Sequence, residues 1–207
     1  MSSEDTTVVP EHRSRLMQGM AQAVAERGYA AVTIADIVRE ASVSRRTFYE
    51  HFDSKSECLV ALFEAASHNA LKVLRGAIDP AHAWQTQVEQ ALGAYFDALA
   101  SNPVLMRTLH VEILGLGAEG LAARRRVNQE IATFMLGIVN GAPGRSQPLT
   151  PQMAMAVVGG INELVLESIE RDRVGKLREL VAPAAQLVRA VTAGIGTEKE
   201  KGPPKRA

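Results

Sequence analysis

The chain has 207 residues and carries 23 Lys and Arg against 23 Asp and Glu, so its formal net charge is zero. This balance excludes a polyelectrolyte that holds nucleic acid by bulk charge, and it argues against a polybasic membrane-surface protein. With 46% hydrophobic and 22% charged residues the composition is that of a globular protein, and the length suits one or two domains.

Neither end of the sequence has the pattern of a targeting or membrane-spanning segment. Residues 1–13 are polar and acidic, and no apolar run approaches the roughly 20 residues that a membrane-spanning helix needs. We therefore expect a cytoplasmic protein that makes no membrane contact. Residues 1–10 and 197–207 are polar enough to be disordered. The basic C-terminal tail, residues 197–207, can contact DNA phosphates, although a solvated tail without a specific role is favoured.

The first predicted helix covers residues 11–28. Leu16, Met20 and Val24 recur every four residues along one face, and Gly28 provides a C-terminal stop. This spacing has the period of a helix and not that of a strand.

Three further helices follow, each with its own expected capping residue. Thr33 is expected to cap the second helix, with Asp36 in the N3 position. After a three-residue turn, Ser44 is expected to cap the third helix. Ser54 or Ser56 is expected to cap a long fourth helix.

From residue 80 onwards the pattern is almost wholly helical, and clusters of Gly, Pro, Asn or Asp mark the turns. No stretch alternates with the period of a strand, and no fixed-period repeat is visible. The expected helices cover residues 82–100, 103–114, 119–140, 151–171 and 175–195. The predicted fold class is therefore all-α.

The second and third helices, joined by three residues, follow the plan of a helix-turn-helix. When Phe48 and Phe52 turn inward, helical geometry leaves the opposite face to polar side chains. These are Arg46, Thr47, Tyr49 and Glu50. Arg45 lies at the N-terminal tip, from which a recognition helix contacts base edges, and an arginine there can bind guanine with two hydrogen bonds. The outline alone also arises in many helical proteins that bind no DNA.

The string from Thr33 to Leu59 is more specific than this outline. It resembles the DNA-binding signature of the tetracycline-repressor (TetR) family of bacterial transcriptional regulators, and the resemblance extends over about residues 11–65. The matching positions are Thr33, Ile37, Ala41, Val43, Ser44, Thr47, Tyr49, Phe52, Lys55 and Leu59. The resemblance implies a three-helix DNA-binding domain over residues 11–55. It also implies a helical effector-binding and dimerisation domain over residues 56–196.

The resemblance further implies a DNA-binding role for eight residues. Arg45 and Arg46 resemble base readers at the start of the recognition helix. Thr33 and Lys55 resemble contacts to the phosphate backbone. The other expected contacts to phosphates or nearby bases are Ser44, Thr47, Tyr49 and His51. A pH-sensitive contact is the alternative for His51, with a plain phosphate hydrogen bond favoured.

Two single residues depart from the simplest interpretation. Ser42 stands where the family usually has a turn glycine, and a left-handed conformation there would cost on the order of 1 kcal/mol. Cys58, near a helix N-terminus that lowers thiol pKa, is compatible with a redox sensor. Because the sequence has no second cysteine to resolve an oxidised form, a small buried residue is favoured.

The last two predicted helices are apolar around more of their circumference than one packed face requires. The resemblance implies that residues 151–195 form a four-helix interface with a second copy of the chain, while burial inside a monomer is the alternative. Such a homodimer presents two recognition helices, so we expect a palindromic operator in double-stranded DNA.

The intervening helices combine apolar residues with a few polar groups, which suits a small-molecule cavity. The resemblance places the pocket of an unidentified, largely apolar effector here and implies no cofactor. The candidate residues are Trp84, Tyr95, Phe96, Met106, His110, Phe134 and Asn162. Each of them also fits an ordinary place in the core. The default interpretation is a repressor that the effector releases from its operator.

Two other classes of function are weaker. The five histidines show no pairing at helical spacing, and no serine stands in a glycine-flanked nucleophile elbow, so we expect neither a metal site nor catalytic residues. A helical adaptor that binds only protein is disfavoured because Arg45, Arg46 and Lys55 are present. A salt-dependent affinity for DNA would distinguish a regulator from such an adaptor.

Overall fold

The computed structural model describes residues 5–141 and 148–192, and within these ranges the protein is entirely helical. The helices are α1 (Asp5–Arg27), α2 (Ile34–Ala41), α3 (Arg45–Tyr49), α4 (Lys55–Gly76), α5 (Trp84–Ala100), α6 (Pro103–Gly115), α7 (Ala118–Gly141), α8 (Pro151–Glu170) and α9 (Val181–Thr192). The prediction of an all-α fold is confirmed. None of the described helices is both long enough and apolar enough to cross a membrane.

Helices α2, α3 and α4 begin directly after the predicted capping residues. The hydroxyl of Thr33 accepts a hydrogen bond from the backbone N–H of Asp36 at 3.3 Å, and the Asp36 carboxylate accepts one from the N–H of Thr33 at 3.0 Å. Ser44 and Ser54 each accept a hydrogen bond from the backbone N–H three residues later, at 3.0 Å and 3.1 Å. The cap of α4 is therefore Ser54 and not Ser56.

The first helix begins earlier than expected. It runs from Asp5, so residues 5–10, expected to be disordered, are helical. Once a helix has nucleated, each added residue contributes one further hydrogen bond, and a polar composition does not prevent this extension. Residues 1–4 and the predicted disordered tail 197–207 lie outside the described part of the chain.

The last predicted helix, residues 175–195, is broken in the structure. A 3₁₀ segment precedes α9, which begins only at Val181. Pro183 explains the break, because it has no N–H to donate to the carbonyl of Glu179 and its ring clashes with a continuous helix. Residues 193–195 lie outside the described ranges.

One hydrophobic core extends from the helix-turn-helix into the C-terminal helices. Phe48 and Phe52 are 0% and 1% exposed and belong to the same buried cluster as Leu16 of α1 and Leu59 of α4. Phe96 of α5, with 0% exposure, lies in this cluster too. The helix α4 therefore contributes to the packing of both predicted domains.

The buried thiol of Cys58 lies in this core. The side chain is 0% exposed, and Sγ donates to the carbonyl oxygen of Leu16 at 3.8 Å. Burial raises the pKa of the thiol to about 12. Since a redox sensor needs an accessible thiolate, the buried-residue alternative is confirmed and the sensor alternative is wrong.

The backbones of α1 and α2 meet most closely at Gly19. A Cβ atom on this residue would lie 2.6 Å from the carbonyl oxygen of Ile37 and 2.9 Å from the backbone nitrogen of Ala41. Both neighbours are backbone atoms that cannot move without shifting α2. Only glycine allows this helix–helix distance.

We expect Gly19→Ala to lower the free energy of unfolding by about 1–3 kcal/mol, the usual cost of overpacking. Urea denaturation would measure the change. Gly137→Ala is the matched control, since it lies within α7, is exposed and has no atom within 4 Å of an added Cβ. That variant should be neutral or more stable by up to about 1 kcal/mol. Equal stability of the two variants would contradict the close contact at Gly19.

Candidate DNA-binding and effector sites

The turn between α2 and α3 has a left-handed residue, as expected for the position of Ser42. Its φ is 52° and its ψ is 46°, a conformation that costs a residue other than glycine about 1 kcal/mol or more. The N–H of Val43 donates to the carbonyl of Val38 at 3.1 Å and closes the end of α2. Arg15 of α1 donates to the carbonyls of Ala41 and Ser42 at 2.7 Å and 2.9 Å. These bonds satisfy carbonyls that the helix itself leaves unpaired.

The helix α3 presents the predicted base readers on its exposed side. Arg45, Arg46 and Tyr49 are exposed, whereas Phe48 on the opposite side is fully buried. The Nε of Arg46 donates to Glu50 at 3.0 Å in an ion pair. Arg45 makes no hydrogen bond or ion pair with any residue that the structure describes. Of the two arginines, Arg45 therefore has the freer guanidinium.

Three smaller polar residues of the predicted site, Thr33, Ser44 and Thr47, lie at the N-caps or in the first turns of α2 and α3, and His51 follows the end of α3. Thr33 and Ser44 are exposed, and both hydroxyls already serve as helix caps. The hydroxyls of Ser44 and Thr47 lie 2.9 Å apart in a mutual hydrogen bond. His51 is half-buried, and its ring lies edge-on to that of His12 at a centroid distance of 6.3 Å. The hydroxyls of these residues therefore already have partners within the protein, and the ring of His51 is only partly exposed.

Lys55 has an internal role that the sequence did not indicate. Its Nζ donates to the carbonyls of Tyr29 and Val32 at 3.0 Å and 2.8 Å, and it lies 4.4 Å from the centre of the Tyr29 ring. Two of the three ammonium hydrogens are thus used within the protein. The first residue of α4 thereby holds the loop between α1 and α2.

A second side chain holds the same loop from α6. The carboxylate of Glu112 accepts a hydrogen bond from the backbone N–H of Tyr29 at 3.4 Å. Burial, with Glu119 and Glu112 nearby, raises the pKa of the Tyr29 phenol. Residues 29–32 therefore connect the helix-turn-helix to both α4 and α6.

The C-terminal helices enclose two adjoining chambers. We call the first the polar chamber, and four of the predicted effector residues line it: Tyr95, Met106, His110 and Asn162. We call the second the apolar chamber, and it is lined by the predicted residues Trp84 and Phe134. Ile131 lines both.

One predicted effector residue belongs to neither chamber, and several lining residues were missed. Phe96 is fully buried in the core and lines neither cavity. It follows Tyr95 directly, so it is rotated by about 100° around the helix axis and faces the packed side of α5. Ser67, Arg124 and Asn128 line the polar chamber, but nothing in the sequence distinguishes them from surface residues.

The segment from Met17 to Leu62, which covers the helix-turn-helix and its supports, matches the family model of bacterial regulatory proteins of the TetR type. The chain belongs to the TetR family. The predicted resemblance is confirmed, and the matched residues include the caps, the turn and α3.

Curated relatives of this TetR-family protein match over less than half of its length. The uncharacterized HTH-type transcriptional regulator YxbF of Bacillus subtilis (strain 168) is 30% identical over 94 residues, 45% of this chain and 25% of that protein. The HTH-type transcriptional activator FasR of Mycolicibacterium smegmatis is 29% identical over 87 residues, 42% of this chain and 40% of that protein. The matched segment thus spans well under half of either relative.

A solved structure extends the likeness to the C-terminal helices. The transcriptional regulator FadR of Bacillus subtilis in complex with stearoyl-CoA superposes with a TM-score of 0.72. The match covers 88% of this chain and 98% of that one at 18% identity. The shared fold is a helix-turn-helix domain followed by a helical C-terminal domain, as predicted.

Asp36 is a buried acid in the scaffold of this TetR-family helix-turn-helix. Its side chain is 9% exposed and lies 3.1 Å from both Arg27 and Arg39. Hydrogen bonds from the Thr33 hydroxyl and backbone, followed by the charge of Arg27 and the bond from Arg39, lower its pKa from 3.8 to about 2. The carboxylate therefore stabilises the folded protein in its ionised form.

The stabilisation of the folded protein by the ionised Asp36 carboxylate is fully present above pH 3.8. It is lost as the pH falls towards about 2, because the unfolded chain takes up the proton first. Asp36→Asn should therefore be less stable than the wild type at pH 7, with a difference that shrinks between about pH 4 and pH 2. Urea unfolding across this range measures the difference.

Asp53→Asn is the matched control, since Asp53 is exposed and its carboxylate has no partner among the described residues. Its pH dependence should follow that of the wild type. A constant difference between Asp36→Asn and the wild type at all pH values would refute the lowered pKa.

Proposed function

We propose that this protein is a cytoplasmic transcriptional regulator that binds double-stranded DNA through α3 and responds to a small-molecule effector. The observation that carries the proposal is the free guanidinium of Arg45 at the exposed tip of α3. Phe48 and Phe52 fix the orientation of this tip from the buried side. A rigidly presented arginine of this kind can read guanine in the major groove.

Within this proposal the predicted residues have unequal roles. Arg45 reads bases directly, whereas Arg46 must first break its ion pair with Glu50 before its guanidinium can contact a base. Lys55 mainly holds the loop between α1 and α2 and has one remaining hydrogen for a phosphate. The other proposed contacts to phosphates or nearby bases are Thr33, Ser44, Thr47, Tyr49 and His51. No catalytic residue, metal or cofactor is part of the proposed function.

Replacing the two arginines of α3 tests the proposal. Arg45→Ala should weaken operator binding by about tenfold or more per half-site, since a bidentate contact to guanine is worth about 1–3 kcal/mol. Arg46→Ala should have the smaller effect because its charge is already partly neutralised. Gel-shift titration on the protein's own promoter region would measure both affinities.

Arg125→Ala is the matched control, an exposed arginine on α7 without an ion pair among the described residues. It removes the same charge far from α3 and should leave the affinity within about twofold, since it removes no base contact. Wild-type affinity in the Arg45→Ala, Arg46→Ala double variant would overturn the DNA-reading role. A complete absence of salt-dependent DNA binding would favour the protein-only adaptor.

We also propose a homodimer through residues 151–195, supported by a second apolar face on α8 and α9. Their inner faces are buried in the core, as at Val165 and Ala184. Their outer faces expose small and apolar residues: Met153, Ala156, Ala182, Pro183 and Ala190. No atom lies within 4 Å of a Cβ added at Gly159, so this glycine leaves room for another backbone. Such a dimer pairs two α3 helices with a palindromic operator.

A charge placed on the outer faces should separate the dimer. Ala156→Glu and Ala190→Glu each place a carboxylate where an apolar interface would bury it, at the cost of desolvation. Sedimentation velocity should show monomers with unchanged helical content, and operator affinity should fall at least about tenfold because two linked half-sites become one. Ala122→Glu, on the exposed side of α7, is the control and should remain dimeric. Dimers in all three variants would exclude this interface.

The proposed effector site is the pair of chambers, and α6 provides its connection to the DNA-binding part. His110 of α6 lines the polar chamber, while Glu112, two residues later, binds the backbone of Tyr29. A ligand that moves α6 therefore pulls on the loop that supports α2. The complex of FadR with stearoyl-CoA supports an effector with a long apolar part. We propose release of a repressor as the default outcome, with activation, as named for FasR, as the alternative.

A further inference from the structure

The polar chamber contains a buried hydroxyl without a partner. Tyr95 is 8% exposed and lines this chamber, and no residue that the structure describes makes a hydrogen bond to its phenolic oxygen. Burial raises the pKa of the phenol to about 12, so the oxygen keeps its proton. A buried polar group of this kind normally has a partner.

A second atom without a hydrogen-bond partner in the same chamber is Nε2 of His110. Its Nδ1 lies 3.1 Å from the carbonyl oxygen of Met106. Because a carbonyl only accepts hydrogen bonds, Nδ1 carries the proton. Burial lowers the pKa of the imidazole, which is therefore neutral, and its Nε2 has a free lone pair. Tyr95 thus offers a donor to the chamber, and His110 offers an acceptor.

Of the other polar groups of the chamber, Arg124, Asn128 and Asn162 already have partners, whereas the hydroxyl of Ser67 makes no hydrogen bond to a residue that the structure describes. Arg124 lies 3.5 Å from the carboxylate of Glu163, and the amide of Asn162 donates to Asn128 at 2.9 Å. The cation of Arg124 therefore has a counter-ion from the protein. A ligand need not bring a charge to balance the chamber.

The apolar chamber continues the polar one along the same helices. Ile131 lines both, and on α5 the lining passes from Tyr95 to Leu92 and Val88, one and two turns further along. The seven residue steps from Tyr95 to Val88 correspond to about 10 Å along the helix axis. Apolar side chains dominate the second chamber, so a chain of several methylene groups can occupy it.

We propose that the effector is a neutral amphiphile with a hydroxyl head and an alkyl or alicyclic tail. The head donates to Nε2 of His110 and accepts from the hydroxyl of Tyr95, since one hydroxyl is both donor and acceptor. The tail fills the apolar chamber. A carboxylate has no hydrogen to give and would face the lone pair of His110. This inference rests on the proposed effector site and specifies the ligand class for it.

Isomeric probes test this inference on the full-length protein. We would titrate 1-decanol, its isomer 1-methoxynonane and decanoate at pH 7.5, below their solubility limits, by isothermal calorimetry. The alcohol and the ether have the same atoms, but only the alcohol can donate. The alcohol should bind about tenfold more tightly than the ether, the ratio that one net hydrogen bond supplies. It should also bind more tightly than decanoate.

Two variants assign the head group to its partners. His110→Leu should bring the alcohol-to-ether affinity ratio close to one while leaving the affinity for the ether nearly unchanged, because only the alcohol donates to Nε2. Tyr95→Phe removes a hydrogen bond that both the alcohol and the ether oxygen accept, so it should weaken both probes by a similar factor and leave the ratio near its wild-type value. Ile138→Ala, in the apolar chamber, should weaken the alcohol and the ether by the same factor. The ratio is measured within one variant, so a general loss of stability does not imitate this result.

Three results would overturn the inference. One is the absence of measurable binding by decanol, and another is a decanol-to-ether ratio that His110→Leu leaves unchanged. The third is tighter binding of decanoate that Arg124→Gln abolishes, which would assign an anionic effector. In each case a gel shift with the operator, made separately, tells whether DNA binding by the protein still holds. A protein that prefers decanol but binds no DNA would instead refute the proposed function alone.

Discussion

The orientation of α3 depends on how closely α1 approaches α2. At Gly19 no side chain separates the two backbones, which brings the C-terminal end of α2 within reach of Arg15. The guanidinium then binds two consecutive carbonyls at the start of the turn, one of them that of Ser42 itself. Hydrogen bonds to charged groups contribute about 1.5–3 kcal/mol, enough to offset a left-handed serine that costs about 1 kcal/mol. A serine is therefore compatible with a turn that usually needs glycine.

The loop of residues 29–32 is held by two side chains of opposite charge, Glu112 and Lys55. Tyr29 lies outside any helix, so its backbone polar groups need partners from side chains. Glu112 of α6 accepts from its N–H, and Lys55 of α4 donates to its carbonyl. One peptide segment is thus fixed from two helices, α4 and α6. A change in the distance between α4 and α6 must either move this segment or break one of these bonds.

Local signals in the sequence predicted the fold well, whereas the roles of Arg15 and Lys55 depend on long-range contacts and were not predicted. The caps at Thr33 and Ser44 depend on atoms three residues away, so the pattern contains them. The partners of Arg15 and Lys55 lie about 26 residues away along the chain, where no local pattern reaches. Pro183 was a local signal, but the apolar spacing continues through it and predicted one long helix. Six of the seven candidate effector residues line one of the two chambers, but no local pattern showed which side of α5 faces the cavity, so Phe96 was also included.

The balance of charges in the whole chain is nearly kept in the predicted DNA-binding domain, where residues 11–55 have seven Lys and Arg against six Asp and Glu. Arg27 and Arg39 share the carboxylate of Asp36, and Arg46 is paired with Glu50. Cations that are already paired attract few phosphates, so the proposed complex gains little sequence-independent affinity. Weak non-specific binding raises the ratio of specific to non-specific affinity, which decides whether a regulator finds its site among competing DNA. The free guanidinium of Arg45, present twice in the proposed dimer, then contributes to specificity more than to overall attraction.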